Sequence, residues 1–393
     1  MSNQMRTSRI AAFFSQPHQP FFALGVFNAI LVMLLFIPAF KGVLPVDARL
    51  LHAYGMIFLV FTNLFYGFTY TTFPRFSAQP PIENRRYLRV WLLNLLAAVS
   101  FYLSLWLPEA FYAAALLMAV SFALTFRIFL PIYAKAPEPR SDQYWILVGY
   151  GMGALADLLF LLAQIPCKHC RAGVFFDYGV EVGIYLYLIF LPAVIAFRMV
   201  PFFSRVMGYA KSRGFHPALF GLLLAHVLLA GFWPKGLFAV DLLLAVLLTR
   251  EVLRAQLPFP NPDPLLWGLH LALFWLPLGF FAGAAVEFFE AWFGYASLYL
   301  PLHLLVLGFL TTILIAFGTR VTLGHGGRAL AVDRMGKTIF LFTQVVVLGR
   351  LALSLAAARG TLTPWFDISA SLWILLFVLW LGKYGRILFP SPR

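Results

Sequence analysis

Twelve apolar runs, most of them about as long as a bilayer crossing, constrain this chain more than any other feature of its sequence. A helix needs about 20 mainly apolar residues to cross the hydrocarbon core. Inside lipid, every backbone polar group must be satisfied within the protein, which leaves helices and closed barrels as spanning structures. The runs are read as helical spans over residues 22–40, 48–72, 86–107, 109–133, 143–165 and 175–197, then 215–232, 236–254, 265–289, 296–320, 337–358 and 367–388. Proline marks many of the joints, at Pro80-Pro81, Pro108, Pro137, Pro166, Pro234 and Pro364 among others. No loop is long enough for a separate domain. The expectation is an all-α membrane protein with residues 1–393 forming one polytopic transmembrane domain, and 1–21 a cytoplasmic N-terminal segment. Arg6 and Arg9 precede an apolar run, but no small-residue cleavage site follows Leu24 to Phe40, so that run reads as the first span and not as a removed signal.

Composition agrees. The chain is 62% hydrophobic and 11% charged, with mean hydropathy +0.86, whereas soluble domains run near ~45–50% and ~25%. A net charge of +14 would suggest nucleic acid in a soluble protein. Here the basic residues sit in short loops between apolar runs, where they set topology and meet anionic headgroups. Nucleic acid is therefore excluded as a partner, and the lipid bilayer is expected instead. Two cysteines supply no disulfide framework.

Loop charge tests the span count. With twelve spans, both termini and the loops after even-numbered spans share one side, which holds twenty-two lysines and arginines. The other side holds six, Lys41, Arg49, Lys168, Arg171, Lys235 and Arg359, and Arg350 lies within a span. By the positive-inside rule both termini are cytoplasmic.

This topology ranks the histidines by depth. His52 lies about four residues into span two and His303 about seven into span ten, roughly 6 and 10 Å from the outer face at 1.5 Å per residue. Two imidazoles at similar depth on different helices suit the axial positions of a b-type haem. Copper would use the same donors with a third or fourth ligand close by. His270 and His325 belong to the cytoplasmic side, with Arg75, Arg198, Arg320 and Arg328 in that region. Such arginines suit carboxylates or haem propionates. His226 is mid-span in the seventh run, as a copper ligand or a packing contact. The plain alternative for each is a histidine hydrogen-bonded across helices. His18, His169 and His216 fall in or near loops, where solvation explains them. Asp157, Glu181, Asp241 and Arg350 are the other intramembrane polar residues. Buried charges are usually paired or functional. Arg350 is therefore expected to face a carboxylate, and Glu181 is a candidate proton carrier or propionate neighbour.

Two short motifs carry little. Cys167-Lys168-His169-Cys170 has two-residue spacing, but Arg171 stands where covalent haem attachment needs histidine. His325-Gly326-Gly327-Arg328 lacks the strand and the Lys-Ser/Thr of a phosphate loop. No internal repeat stands out.

Four segments together resemble the NnrS family, bacterial membrane proteins containing haem and copper and linked to nitric oxide metabolism. LHLLVLGFLTTILIAFGTRVTLGHGGRAL carries His303, Arg320, Gly324, His325, Gly327 and Arg328. RMVPFFSR carries Arg198, Pro201, Phe202 and Phe203; LWGLHLALFW carries His270; LHAYGMIFLVF carries His52 and Met56. In the last, Tyr54 and Gly55 replace a histidine and a glutamate of the family pattern, which alters one set of metal donors. The resemblance implies haem b, with copper as a second cofactor, and a bacterial inner-membrane location. It also implies nitric oxide or a similar small ligand as a partner, together with an electron-donor protein. If the chain is an enzyme, it is a membrane oxidoreductase acting on such a gas. Twelve spans with histidines in the second and tenth are also similar to the catalytic subunit of haem-copper oxidases and nitric oxide reductases. The three-histidine copper site of those enzymes is not visible, because span six has no histidine. A haem-free carrier or structural subunit is the third reading.

Overall fold

The computed structural model describes residues 9–166, 172–294, 297–357 and 359–389. The Cys167–Cys170 motif, with His169 and Arg171, lies outside the described residues, as do Arg6 and Arg393. All twelve expected runs are helical: α1 (His18–Phe40), α2 (Ala48–Phe76), α3 (Asn84–Leu103), α4 (Ala110–Ala134), α5 (Ser141–Ala163), α6 (Ala172–Phe203), α7 (Phe215–Phe232), α8 (Leu237–Arg254), α9 (Pro264–Phe293), α10 (Leu300–His325), α11 (Arg334–Ala357) and α12 (Leu362–Leu388). No strand occurs among the described residues. Ten of these helices are long and apolar enough to cross a membrane. The remaining two are interrupted by charge: α3 opens with Arg85, Arg86 and Arg89, and α8 carries Asp241, Arg250, Glu251 and Arg254. The chain is thus an all-α, multi-pass membrane protein.

Helix starts follow local chemistry. Asp47 accepts the backbone N–H of Arg49 and Leu50 at 2.9 and 3.1 Å to open α2, and Asp263 accepts that of Leu265 at 2.9 Å to open α9 behind Pro264. Such caps satisfy donors that have no partner within the helix. At the other end of α9, Gly294 turns the chain at φ +68°, a conformation that favours glycine.

Three helices are built differently. α2, α6 and α10 are buried along most of their length, whereas the others each expose a face rich in Leu and Phe, such as Phe27 and Leu34 of α1 or Leu341 and Leu348 of α11. Each of the three also widens into a π-helical segment, at Gly55–Phe61, Val182–Ile189 and Leu304–Thr311. A π turn leaves carbonyls displaced from the regular ladder, and side chains satisfy them. Thr62 bonds Ile57 O at 2.9 Å, and Thr311 bonds Val306 O at 2.8 Å. In α6 the N–H of Phe190 reaches back five residues to Tyr185 O, two residues before Pro192, which has no N–H to donate. His52, Glu181 and His303 each stand within three residues before the widened segment of their own helix. The repeat absent from the plain sequence therefore exists as an element: the second helix of every four is widened, just after a residue that can bind a proton or a metal. π segments are frequent at functional sites.

The chain groups into two compact units. The first comprises residues up to 143 with 317–330 and those from 377; the second comprises 144–316 and 331–376. In the first, Asn28 of α1 donates to Leu59 O in the π segment at 3.1 Å and accepts from Tyr102 at 2.8 Å. Aromatic stacking of Phe21 on Tyr70 and of Phe73 on Phe129 fills the space between. Without a hydrophobic gradient between helices in lipid, close packing and polar links of this kind hold helices together. In the second, the π segments of α6 and α10 pack on each other, and α9 packs along α8 and the widened part of α10.

Candidate metal centre

The second unit places four ionisable side chains from four helices at one end. Glu181 is near the start of α6, His226 near the end of α7, Asp241 near the start of α8 and Glu287 near the end of α9. Counted from those helix ends at 1.5 Å per residue, they lie about 6–14 Å deep. His226 Nδ1 is 2.5 Å from Asp241 Oδ1, and His226 Nε2 is 3.7 Å from Glu181 Oε2. One ligand atom each from His226, Asp241 and Glu287 falls within 4.8 Å of the others. Tyr185, in the π segment of α6, covers the imidazole with ring centroids 3.9 Å apart. Gly283 on α9 clears the approach, since a Cβ there would stand 3.2 Å from Asp241 Oδ2.

The electrostatics are unbalanced. His226 and Asp241 are 2% and 1% exposed. No protein donor reaches Asp241 Oδ2, Glu287 Oε2 or Glu181 Oε2, and no lysine or arginine pairs with any of the three carboxylates among the described residues. Glu251, further along α8, shows what a structurally satisfied carboxylate looks like here. It is equally buried, but accepts from Tyr209 Oη at 2.7 Å, the Ser212 backbone at 3.0 Å and Ser212 Oγ at 2.5 Å. Even with an imidazolium at His226, three ionised carboxylates would leave a net negative charge buried in apolar surroundings. The cluster therefore calls for protons or a cation.

The other expected ligands fall as follows. His52, in the first unit, is half-buried and stacks on Phe36 with centroids 4.3 Å apart. His303, in the second unit, sits with its Nδ1 2.8 Å from Tyr299 O and 3.4 Å from Arg350. His270, also in the second unit, is fully buried with Nε2 2.6 Å from Ser204 Oγ, and no protein group bonds its Nδ1. His325, in the first unit, faces His18 with ring centroids 5.3 Å apart. Arg198 and Arg320 are half-buried, and Arg328 is exposed in the turn after α10.

Three points went unread in the sequence. His18, buried against His325, and His216, 4% exposed beside Trp145, are not solvated loop residues. Glu287, two residues from the expected end of its span, joins the carboxylate cluster. Arg350 has no carboxylate partner among the described residues. Its guanidinium donates to Leu298 O and Ser354 Oγ, and so holds the backbone just before α10, where Leu298 and Tyr299 have φ of 53° and 58°. Paired hydrogen bonds, and not a counter-charge, satisfy this arginine.

Comparison with curated proteins finds no match. A family model described as NnrS protein matches residues 12–393, which covers all twelve helices. The chain belongs to the NnrS family.

Proposed function

We propose that this protein is a haem-binding member of its family in the bacterial inner membrane, with both termini cytoplasmic, and that it binds nitric oxide or a similar small gas or passes electrons. The reading assigns His52 and His303 as haem ligands toward the outer face, and His270 and His325 to a second site. The observation that carries it is the contact between His303 Nδ1 and the Tyr299 carbonyl oxygen. A carbonyl can only accept, so the 2.8 Å contact with Tyr299 O makes Nδ1 the donor and outweighs the 3.4 Å approach of Arg350 to the same atom. The lone pair is then on Nε2, the arrangement found in metal-binding histidines oriented by a backbone carbonyl. His270 supports the same fit, being buried with one ring nitrogen held by Ser204 and the other left without a protein partner.

A bound haem would supply an iron that takes a diatomic gas or an electron. The protein's part is to orient the imidazoles and to meet anionic groups with Arg198, Arg320 and Arg328, each suited to bidentate pairing with a carboxylate. Copper is the second cofactor of this reading, through imidazole donors among His52, His303, His270 and His325. Catalysis would further need an electron-donor protein and an open position on the iron.

The test is a reduced-minus-oxidised spectrum of the purified protein alongside iron and copper analysis. A b-type spectrum that changes in His303→Ala, and a reduced form that responds to nitric oxide or carbon monoxide, are the expected results. Protein without iron, or a spectrum indifferent to His303→Ala, overturns the assignment and favours a haem-free carrier or structural subunit.

A further inference from the structure

We propose that His226, Asp241 and Glu287, with Glu181 beside them, bind a divalent first-row cation held mainly by carboxylate oxygen, separate from any haem. Three observations converge. The donor atoms of His226, Asp241 and Glu287 already lie within 4.8 Å of one another, a span that one ion can bridge. Asp241 is 1% exposed, yet its Oδ2 meets no protein donor, and Glu287 Oε2 is in the same position. No lysine or arginine offsets these carboxylates among the described residues, although the same unit gives Glu251 hydroxyl and backbone donors and places Arg254 Nε 4.0 Å from it.

The donor set narrows the ion. One imidazole with two or three carboxylates suits Mn²⁺, Zn²⁺ or Fe²⁺ and is a poor match to Cu(I), which favours softer sulfur donors. The 2.5 Å contact between His226 Nδ1 and Asp241 Oδ1 fits a carboxylate that orients the ring and turns Nε2 toward Glu181. Two positive charges would offset most of the negative charge that the four helices otherwise confine. Because the four helix ends meet at one end of the unit, the ion would enter from that side without crossing the membrane.

The rival account is a proton shared between Asp241 and Glu287, and the experiment separates the two. Full-length protein in detergent is stripped with chelator and titrated with Mn²⁺, with binding read by electron paramagnetic resonance; Zn²⁺ is then added as competitor. One Mn²⁺ per chain is expected, displaced by Zn²⁺ and showing spin-echo modulation from a single imidazole nitrogen. His226→Gln, Asp241→Asn and Glu287→Gln should each weaken binding by about tenfold or more while leaving the haem spectrum unchanged. Absence of Mn²⁺ and Zn²⁺ binding, or binding that the three variants leave intact, overturns the site. The spin-echo signal is read on the wild-type protein, so a missing nitrogen coupling overturns it even if the variants fail to fold.

Discussion

Asp241 and His226 share a 2.5 Å contact across the short turn that joins α7 to α8. Only fifteen residues separate them, so the pair is made as soon as these two helices pack as a hairpin. Removing one member strands the other in apolar surroundings, which costs about 3–5 kcal/mol, whereas replacing both with apolar residues is often near neutral. In chelator, Asp241→Leu should therefore lower the detergent melting temperature more than the His226→Leu/Asp241→Leu double variant. If the double variant melts lower than Asp241→Leu, the pair stabilises the hairpin outright.

Glu251 tests the opposite case, a buried carboxylate that the protein satisfies by itself. Its oxygens gather Tyr209 and Ser212 and so tie the 204–214 connection onto α8. Glu251→Gln keeps the shape but exchanges one acceptor oxygen for a donor that faces other donors. A loss of about 1–3 kcal/mol is expected. Limited trypsin digestion should then cut faster at Lys211 or Arg213; an unchanged rate would show that other contacts hold this connection.

The helices were legible because a span length is a strong pattern and because the loop charges check the count independently. Charge within a helix was harder to interpret. Arg350 looked like half of an ion pair, but a guanidinium can equally be satisfied by a carbonyl and a hydroxyl, and no sequence pattern distinguishes the two. The carboxylate cluster was half visible: His226, Glu181 and Asp241 stood out as polar residues inside spans, but their convergence depends on helix rotation, which spacing does not give. The π segments left the faintest trace. Thr62 and Thr311 bond carbonyls within two of them and Pro192 follows the third, and each residue type is also common in ordinary transmembrane helices.

Topology yields a prediction that is independent of any cofactor. Twenty-two of the lysines and arginines fall on the side assigned to the cytoplasm and six on the other. A single cysteine placed at Lys337 should resist a membrane-impermeant thiol reagent in intact spheroplasts, and one at Lys235 should react. Cys167 and Cys170 need prior replacement with serine. Reversed labelling would invert the map and move the carboxylate cluster to the cytoplasmic side.

Arg350 ties α11 to the strained turn that leads into α10, the helix that carries His303. Its fork donates to Leu298 O and Ser354 Oγ, and Ser354 in turn donates to Ser297 O at 2.8 Å. A lysine ammonium is a point charge without that planar fork, so Arg350→Lys should restore only part of what Arg350→Met loses. The loss for Met is expected at about 1.5–3 kcal/mol, in the range of hydrogen bonds to charged groups. A shift of the proposed haem's band in Arg350→Met beyond that seen in Arg350→Lys would show that the turn also sets the position of His303.

Gly308 shows why the π segment of α10 has the residues it has. A Cβ at this position would come within 2.6 Å of the Trp275 indole, a distance that real side chains do not adopt. The indole is not at liberty to move away, because its Nε1 donates to Gln344 Oε1 at 2.6 Å and Gln344 Nε2 reaches Thr312 Oγ1 and Thr343 Oγ1. Gly308→Val must therefore displace Trp275 and break this link between α9 and α11, or else distort the widened turn. Overpacking of this kind costs about 1–3 kcal/mol. Trp275→Phe alone removes the indole bond, worth about 0.5–1.5 kcal/mol, and vacates part of the space the indole fills. If close approach is the cause, Gly308→Val should cost less in the Trp275→Phe background than in the wild type, read as melting in detergent. Equal costs in both backgrounds would instead place the requirement for glycine in the π backbone itself.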